Sequence, residues 1–281
     1  MSLPPGAHDA QRVGGGDINQ AWRVTLADGA TAFVKTRANA GAGEYAAEAE
    51  GLAWLAEPGA LRTPQVIEVG EDYLALDWIE PGRLRAAGAE ELGRGLAATH
   101  AAGAANFGDP RFDGSAGTPS QFGSLRLFNE PAGDWPSFYA DRRLRPLAVL
   151  ARERGALSER GVRAVEQVCE RIAELSGAPE PPARLHGDLW GGNVMADSQG
   201  RPWLIDPSAY GGHREVDLAM LRLFGAPSER VFAAYAEAAP LADGWEDRVR
   251  LWQLMPLLVH AVLFGGSYPD AAERIALHYA G

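Results

Sequence analysis

Apolar and polar positions alternate with a period of two through much of the first third of the chain. Trp22, Val24 and Leu26 alternate with polar neighbours, Asp28-Gly29 marks a hairpin turn, and Thr31-Ala32-Phe33-Val34-Lys35 resumes the pattern. Residues 11–36 are therefore expected to be strands. Val66-Ile67-Glu68-Val69 and Tyr73-Leu74-Ala75-Leu76 flank Gly70-Glu71-Asp72 as two more strands. Between these sets, Tyr45, Leu52 and Leu55 line one face of a helix over 44–56, and its alanines add propensity.

After Pro81-Gly82 the spacing becomes helical. Helices are expected over 88–102, 134–154, 158–176, 214–224, 228–239 and 245–264. The stretch 103–133 reads as loop, with Gly, Pro, Ser and Asn throughout. Val194-Met195-Ala196 and Pro202-Trp203-Leu204-Ile205, joined around Gly200, read as a hairpin. The fold class that follows is α+β and bilobal. Residues 1–80 form a small β-rich lobe with one key helix, and 81–281 a larger helical lobe, with Asp77-Trp78-Ile79-Glu80 connecting them.

Composition narrows the function classes. The 281 residues are 46% hydrophobic and 22% charged, as in an ordinary globular protein. The net charge of −11 repels phosphate backbones and argues against nucleic acid as a partner. Cys169 is the only cysteine, so no intrachain disulfide can form, and its helical setting with Val165, Val168 and Ile172 suits a buried core residue. Met1-Ser2-Leu3-Pro4-Pro5 lacks the features of a signal peptide. The apolar run 254–266 is short and is broken by Pro256 and His260. A cytoplasmic location with no membrane contact is the expectation. The six histidines show no metal-ligand spacing, so zinc is not expected.

The candidate chemistry lies in His186-Gly187-Asp188-Leu189-Trp190-Gly191-Gly192-Asn193, followed by Leu204-Ile205-Asp206-Pro207. An Asp, an Asn five positions on, and a second Asp after a hairpin resemble a protein-kinase-type catalytic loop and metal site. In that arrangement Asp188 accepts the proton of an acceptor hydroxyl, while Asn193 and Asp206 offer oxygens to Mg²⁺. His186 reads as a buried histidine bonded to the loop backbone and not as a base. Gly14-Gly15-Gly16-Asp17-Ile18-Asn19 lies between two expected strands, where glycines let backbone N–H groups approach phosphates, although a plain turn has the same composition. Lys35, the only lysine in the chain, ends a strand from which it could reach the ATP phosphates. Glu44, Glu48 and Glu50 compete to orient it. Trp78, Ile79 and Glu80 lie where backbone groups would meet adenine. Glu215 and Asp217 open a helix. Asp217 either braces the catalytic loop or caps the helix, and Trp190 either stacks on a substrate or anchors packing.

Together these residues resemble the fructosamine kinase (ketosamine-3-kinase) family, a branch of the aminoglycoside-phosphotransferase-like kinases. The resemblance rests on Gly15-Gly16-Asp17-Ile18-Asn19, Phe33-Val34-Lys35, Glu48-Ala49-Glu50-Gly51-Leu52 and the 186–193 run, of which Trp190 and its flanking residues are the most discriminating. It continues through Asp206-Pro207, residues 210–220, Trp135 with Phe138-Tyr139, and 260–268. It implies a protein-kinase-like fold and ATP- and Mg²⁺-dependent phosphorylation of the sugar 3-hydroxyl of a small-molecule or protein-bound ketosamine, a deglycation repair reaction. It also implies Glu48 as the partner of Lys35 and Trp190 as a wall of the sugar pocket. Asn129 matches a family asparagine, and Asn129, Trp190, Glu215 and Asp217 are expected on the substrate side. The segment 109–129 follows the family only loosely. An aminoglycoside or amino-alcohol kinase shares every phosphoryl-transfer residue and is the alternative. No base, metal ligand or lysine is missing, which argues against an inactive relative.

Overall fold

The structure is a computed structural model describing residues 3–14, 19–38, 40–41, 43–108, 120–122, 125–225 and 227–281. It begins with β1 (His8–Val13), β2 (Gln20–Thr25) and β3 (Thr31–Thr36), followed by α1 (Glu44–Ala56), β4 (Val66–Val69) and β5 (Tyr73–Asp77). The five strands form one antiparallel sheet in the order β1-β2-β3-β5-β4. Strand periodicity decides what each face meets. Ala32 and Val34 point one way and are fully buried with Val24 and Ala75. Phe33 points the other way and packs, with Leu74 and Leu76, against Tyr45 and Leu52 of α1. Lys35, two residues beyond Phe33, shares the α1 face. Gly15, Gly16, Asp17 and Ile18 lie outside the described residues; Gly14 is exposed, and Asn19 Oδ1 accepts from the Tyr45 hydroxyl at 3.3 Å.

The helical part begins with α2 (Ala86–Ala101), the small hairpin β6 (Ser120–Phe122) and β7 (Leu125–Leu127), α3 (Trp135–Tyr139), α4 (Arg145–Glu153) and α5 (Glu159–Leu175). It continues through β8 (Ala183–Leu185), β9 (Val194–Ala196), β10 (Pro202–Leu204), β11 (Tyr210–Gly212), α6 (Glu215–Leu223), α7 (Glu229–Ala238), α8 (Trp245–Phe264) and α9 (Tyr268–Ala280). The larger core joins α3, α4, α5 and α8 around Tyr139, Leu144, Leu147, Val168, Trp252 and Leu258, with Cys169 buried in it. A second core joins Leu92, Leu96, Leu189, Leu204, Leu218 and Val231. Among the described residues, no helix is long and apolar enough to cross a membrane.

Two prolines shape the helices, and side chains satisfy the carbonyls they leave. The helix expected over 134–154 contains a π-helical turn (Ala140–Leu144) just before Pro146, and Arg143 donates to the Arg142 carbonyl at 3.0 Å. Helix α8 runs through Pro256, which cannot donate to the carbonyl of Trp252, and the Tyr139 hydroxyl reaches that carbonyl at 3.3 Å. Helix α9 is not foreseen by the sequence pattern because its fully buried side chains are the small Ala272 and Ala276. Strands β6, β7, β8 and β11 have three residues each, too few to display a period.

Candidate active site

The catalytic run is a loop held from three directions. β11 pairs antiparallel with β8, with Tyr210 opposite Leu185, so the two ends of the 186–209 segment meet. Ser208 N–H donates to the His186 carbonyl at 2.9 Å. Gly187 has φ +83°, and a Cβ there would sit 2.1 Å from the Ser208 carbonyl oxygen, so this position demands glycine. Leu189, 0% exposed, anchors the loop in the second core. Residues Gly191–Asn193 form a 3₁₀ turn leading into the β9–β10 hairpin, whose register sets Val194 against Leu204. The hairpin returns the chain so that Ile205 N–H donates to the Asn193 carbonyl at 3.1 Å, and Asp206 follows directly.

This brings Asp188, Asn193 and Asp206 together. The Asn193 amide nitrogen donates to the Asp188 carbonyl at 2.8 Å and to its carboxylate at 3.2 Å. The donor side of the amide is thereby committed, and its oxygen faces the other way. Asp206 has φ +52°, one of only two non-glycine residues in the left-handed region among the described residues. That turn directs its carboxylate to Lys35 Nζ at 3.0 Å. Lys35 also pairs with Glu48, while Glu44 is taken by Arg37. Burial opposes the Lys35 charge, but Asp206 and Glu48 outweigh it and hold its pKa above the ordinary value. Burial, reinforced by the charge of Asp206, pushes the Asp188 carboxyl up to about 7.

The donor set suits a hard divalent cation. Asn193 and Asp206 present oxygen only, and the Asp206 side chain is 44% exposed. Among the described residues, no cluster of three or more His, Cys, Asp or Glu could hold a metal ion. A cation held by Asn193 and Asp206 would therefore complete its shell with phosphate and water oxygens, the usual arrangement for Mg²⁺ in a phosphoryl-transfer site.

Behind the loop, Asp217 is 0% exposed and accepts from the backbone N–H groups of His186 at 2.7 Å and Gly187 at 3.0 Å. His100 Nε2 lies 3.3 Å from the same carboxylate, and His100 Nδ1 is 2.8 Å from the Tyr235 hydroxyl. His186 is held neutral by burial; its Nε2–H donates to the Ile205 carbonyl and its Nδ1 accepts from Asp188 N–H.

Two expected substrate-side carboxylates are thus corrected. Asp217 faces the loop backbone, and Glu215 is buried against Arg248 and the Trp252 indole N–H. Both are buried and engaged by protein donors. Asn129 is 3% exposed, and its side-chain oxygen accepts from Arg143 at 2.5 Å. In the connecting segment, Ile79 is buried, Glu80 is exposed, and Trp78 Nε1–H donates to Glu80 at 3.0 Å. Trp190 remains at the loop surface.

Sequence reasoning missed Arg184. From β8, two residues before His186, its guanidinium donates to the Trp54 carbonyl at the end of α1 and to Glu57, and lies 4.5 Å from the centre of the Trp54 ring. It ties the helix carrying Glu48 to the strand leading into Asp188. The only local hint is an arginine between two buried positions, Ala183 and Leu185. Arg184→Ala is expected to raise KM for ATP several-fold and lower kcat about tenfold by loosening the Lys35–Glu48 pair. Steady-state kinetics with ATP varied would check this, and an unchanged KM and kcat would remove the clamp from the site.

The fructosamine kinase family model matches residues 4–279. The chain belongs to the fructosamine kinase family. It is 36% identical over 276 residues to a "Probable ketoamine kinase" of Lactiplantibacillus plantarum, covering 96% of this chain and 93% of that protein. It is 33% identical to the chloroplastic "Protein-ribulosamine 3-kinase" of Arabidopsis thaliana, with 95% and 81% covered. The solved structure of a candidate fructosamine-3-kinase from Thermobifida fusca YX-ER1 superposes with a TM-score of 0.88 at 43% identity, covering 98% of this chain and 93% of that one. A choline kinase from Streptococcus pneumoniae shares the fold at a TM-score of 0.60 and 14% identity, with 98% and 94% covered. This fructosamine kinase family member is accordingly a nucleotide-binding phosphotransferase with the bilobal, protein-kinase-like α+β fold.

Proposed function

We propose that this protein uses Mg²⁺ and ATP to phosphorylate the sugar 3-hydroxyl of a ketosamine, the adduct of an amine with a reducing sugar. The observation that carries this reading is the convergence of Asp188, Asn193 and Asp206 with the Lys35–Glu48 pair, in a chain whose relatives act on ketoamines and ribulosamines. Asp188 accepts the hydroxyl proton as the 3-oxygen attacks the γ-phosphorus, and the bond to the β-phosphate oxygen breaks to release ADP. A carboxyl that ionises near neutrality suits this role. Lys35, oriented by Glu48, holds the α- and β-phosphates. Asn193 and Asp206 would hold Mg²⁺, which when bound would supply neutralisation of charge on the transferring phosphoryl group. Adenine meets backbone groups near Trp78, Ile79 and Glu80, and residues 14–19 cover the phosphates.

An ATP-consumption assay with Mg²⁺ against ribulose- and fructose-amine adducts, an aminoglycoside and an amino alcohol tests the reading. Turnover of a ketosamine is expected, with EDTA abolishing it. Activity on an aminoglycoside or amino alcohol and none on either ketosamine would overturn the substrate class and leave the kinase chemistry standing.

A further inference from the structure

The catalytic loop opens onto a row of aromatic rings that the phosphoryl-transfer chemistry does not use. Trp190, two residues past Asp188, is 40% exposed. Its indole folds back over the loop: a Cβ added at Gly192 would lie 2.2 Å from the ring, so the glycine makes room for it. From there Phe224 lies edge-on at 6.2 Å, His260 is 4.8 Å from Phe224, and Tyr268 and Phe264 are 5.0 and 5.5 Å from His260. The segment carrying Phe224 abuts the loop itself, since the Gly225 carbonyl oxygen lies 3.0 Å from the Cβ position of Gly191. The outer ring, Phe264, is 49% exposed. The large core's ring cluster, around Trp135, Phe138, Tyr139 and Trp252, is buried; this one reaches solvent.

We propose that Phe224, His260, Phe264 and Tyr268, with Trp190 at the inner end, form the subsite for the hydrocarbon substituent on the ketosamine nitrogen. The inference rests on the ketosamine reading above. With the 3-hydroxyl at Asp188, the nitrogen sits only a short carbon chain away, and its substituent leaves the loop beside Trp190. The sugar needs hydrogen-bonding groups along its length, whereas this row presents chiefly ring faces. His260 Nδ1 is committed to the Pro256 carbonyl at 2.8 Å, and burial keeps the imidazole neutral. Aromatic faces free of positive charge suit an alkyl or arylalkyl group and the protonated nitrogen that carries it. The subsite therefore selects for the amine half of the adduct and leaves the transferred phosphoryl group untouched.

The test compares ribulose adducts of methylamine and benzylamine, which share the reacting sugar and differ in the substituent. Wild-type protein is expected to favour the benzylamine adduct about tenfold in kcat/KM. Phe264→Ala, at a position 49% exposed, is expected to lose most of that preference. Its kcat/KM should fall much less for the methylamine adduct than for the benzylamine adduct, and Phe264→Trp should restore discrimination. Equal losses on both adducts, or a wild-type protein indifferent to the substituent, would overturn the subsite while leaving the ketosamine reading intact. Failure of wild-type protein to turn over either adduct would overturn both.

Discussion

Asp188→Asn is expected to lower kcat by about 10³ while KM for ATP changes little, because the step lost is proton acceptance, to which positioned side chains contribute about 10²–10⁴. The same change is expected to leave the metal-free protein at least as stable, with Tm raised by about 2–4 °C. The reason is electrostatic. Burial and the charge of Asp206 both work against ionised Asp188, so the fold carries a carboxylate it would sooner not have. A neutral amide removes that cost, and its oxygen can still accept from Asn193. Opposite signs for activity and stability separate a chemical role from a structural one. Melting curves in EDTA and single-turnover rates would check both halves. A kcat near wild type would remove Asp188 from the chemistry, and a large drop in Tm would mean that the carboxylate is a structural element of the loop.

Asp217→Ala is expected to damage both properties in the same direction. Its carboxylate is the acceptor for the backbone N–H groups of His186 and Gly187 and also meets His100. Removing it strands two buried donors, each costing about 1–3 kcal/mol. Tm should fall by about 5–15 °C for a chain of this size, and kcat by about 10²-fold as Asp188 loses its backing. Asp217→Asn, which keeps one accepting oxygen, should fall between. Circular dichroism melts beside kinetics at a temperature where the variants remain folded would separate the contributions. A variant that melts early yet keeps wild-type kcat when folded would show that Asp217 stabilises the loop without positioning it.

Glu215 and Asp217 illustrate where local reading stops. They sit two residues apart in the first turn of α6, and capping and the helix dipole favour both equally. On a helix such neighbours point to different sides. One side meets the catalytic loop and the other meets Arg248 and Trp252, and neither partner is within reach along the chain. Lys35 differs. Its place on the α1 face follows from the period of two through Phe33, so a helix glutamate was a legible partner, although only packing sends Glu44 to Arg37 and leaves Glu48 for Lys35. The helix α9, with alanines on its buried face, and the three-residue strands around the loop carried too little local signal to be seen.

What the sequence by itself determined is the set of spacings: Asp188 to Asn193 in one turn of loop, Asp206 beyond a hairpin, Lys35 at a strand end, and the periods that divide a β-rich part from a helical one. These are short-range properties, set by backbone geometry and side-chain alternation over a few residues. Only the tertiary structure decided the orientations and the long-range partners. It placed Asp206 in the left-handed region facing Lys35, Arg184 between α1 and the catalytic strand, Asp217 beneath His186 and Gly187, and Phe224 beside Trp190 with the His260 ring behind it. Each of those contacts joins residues far apart in the chain, and their energies depend on burial that exists only once the elements have packed.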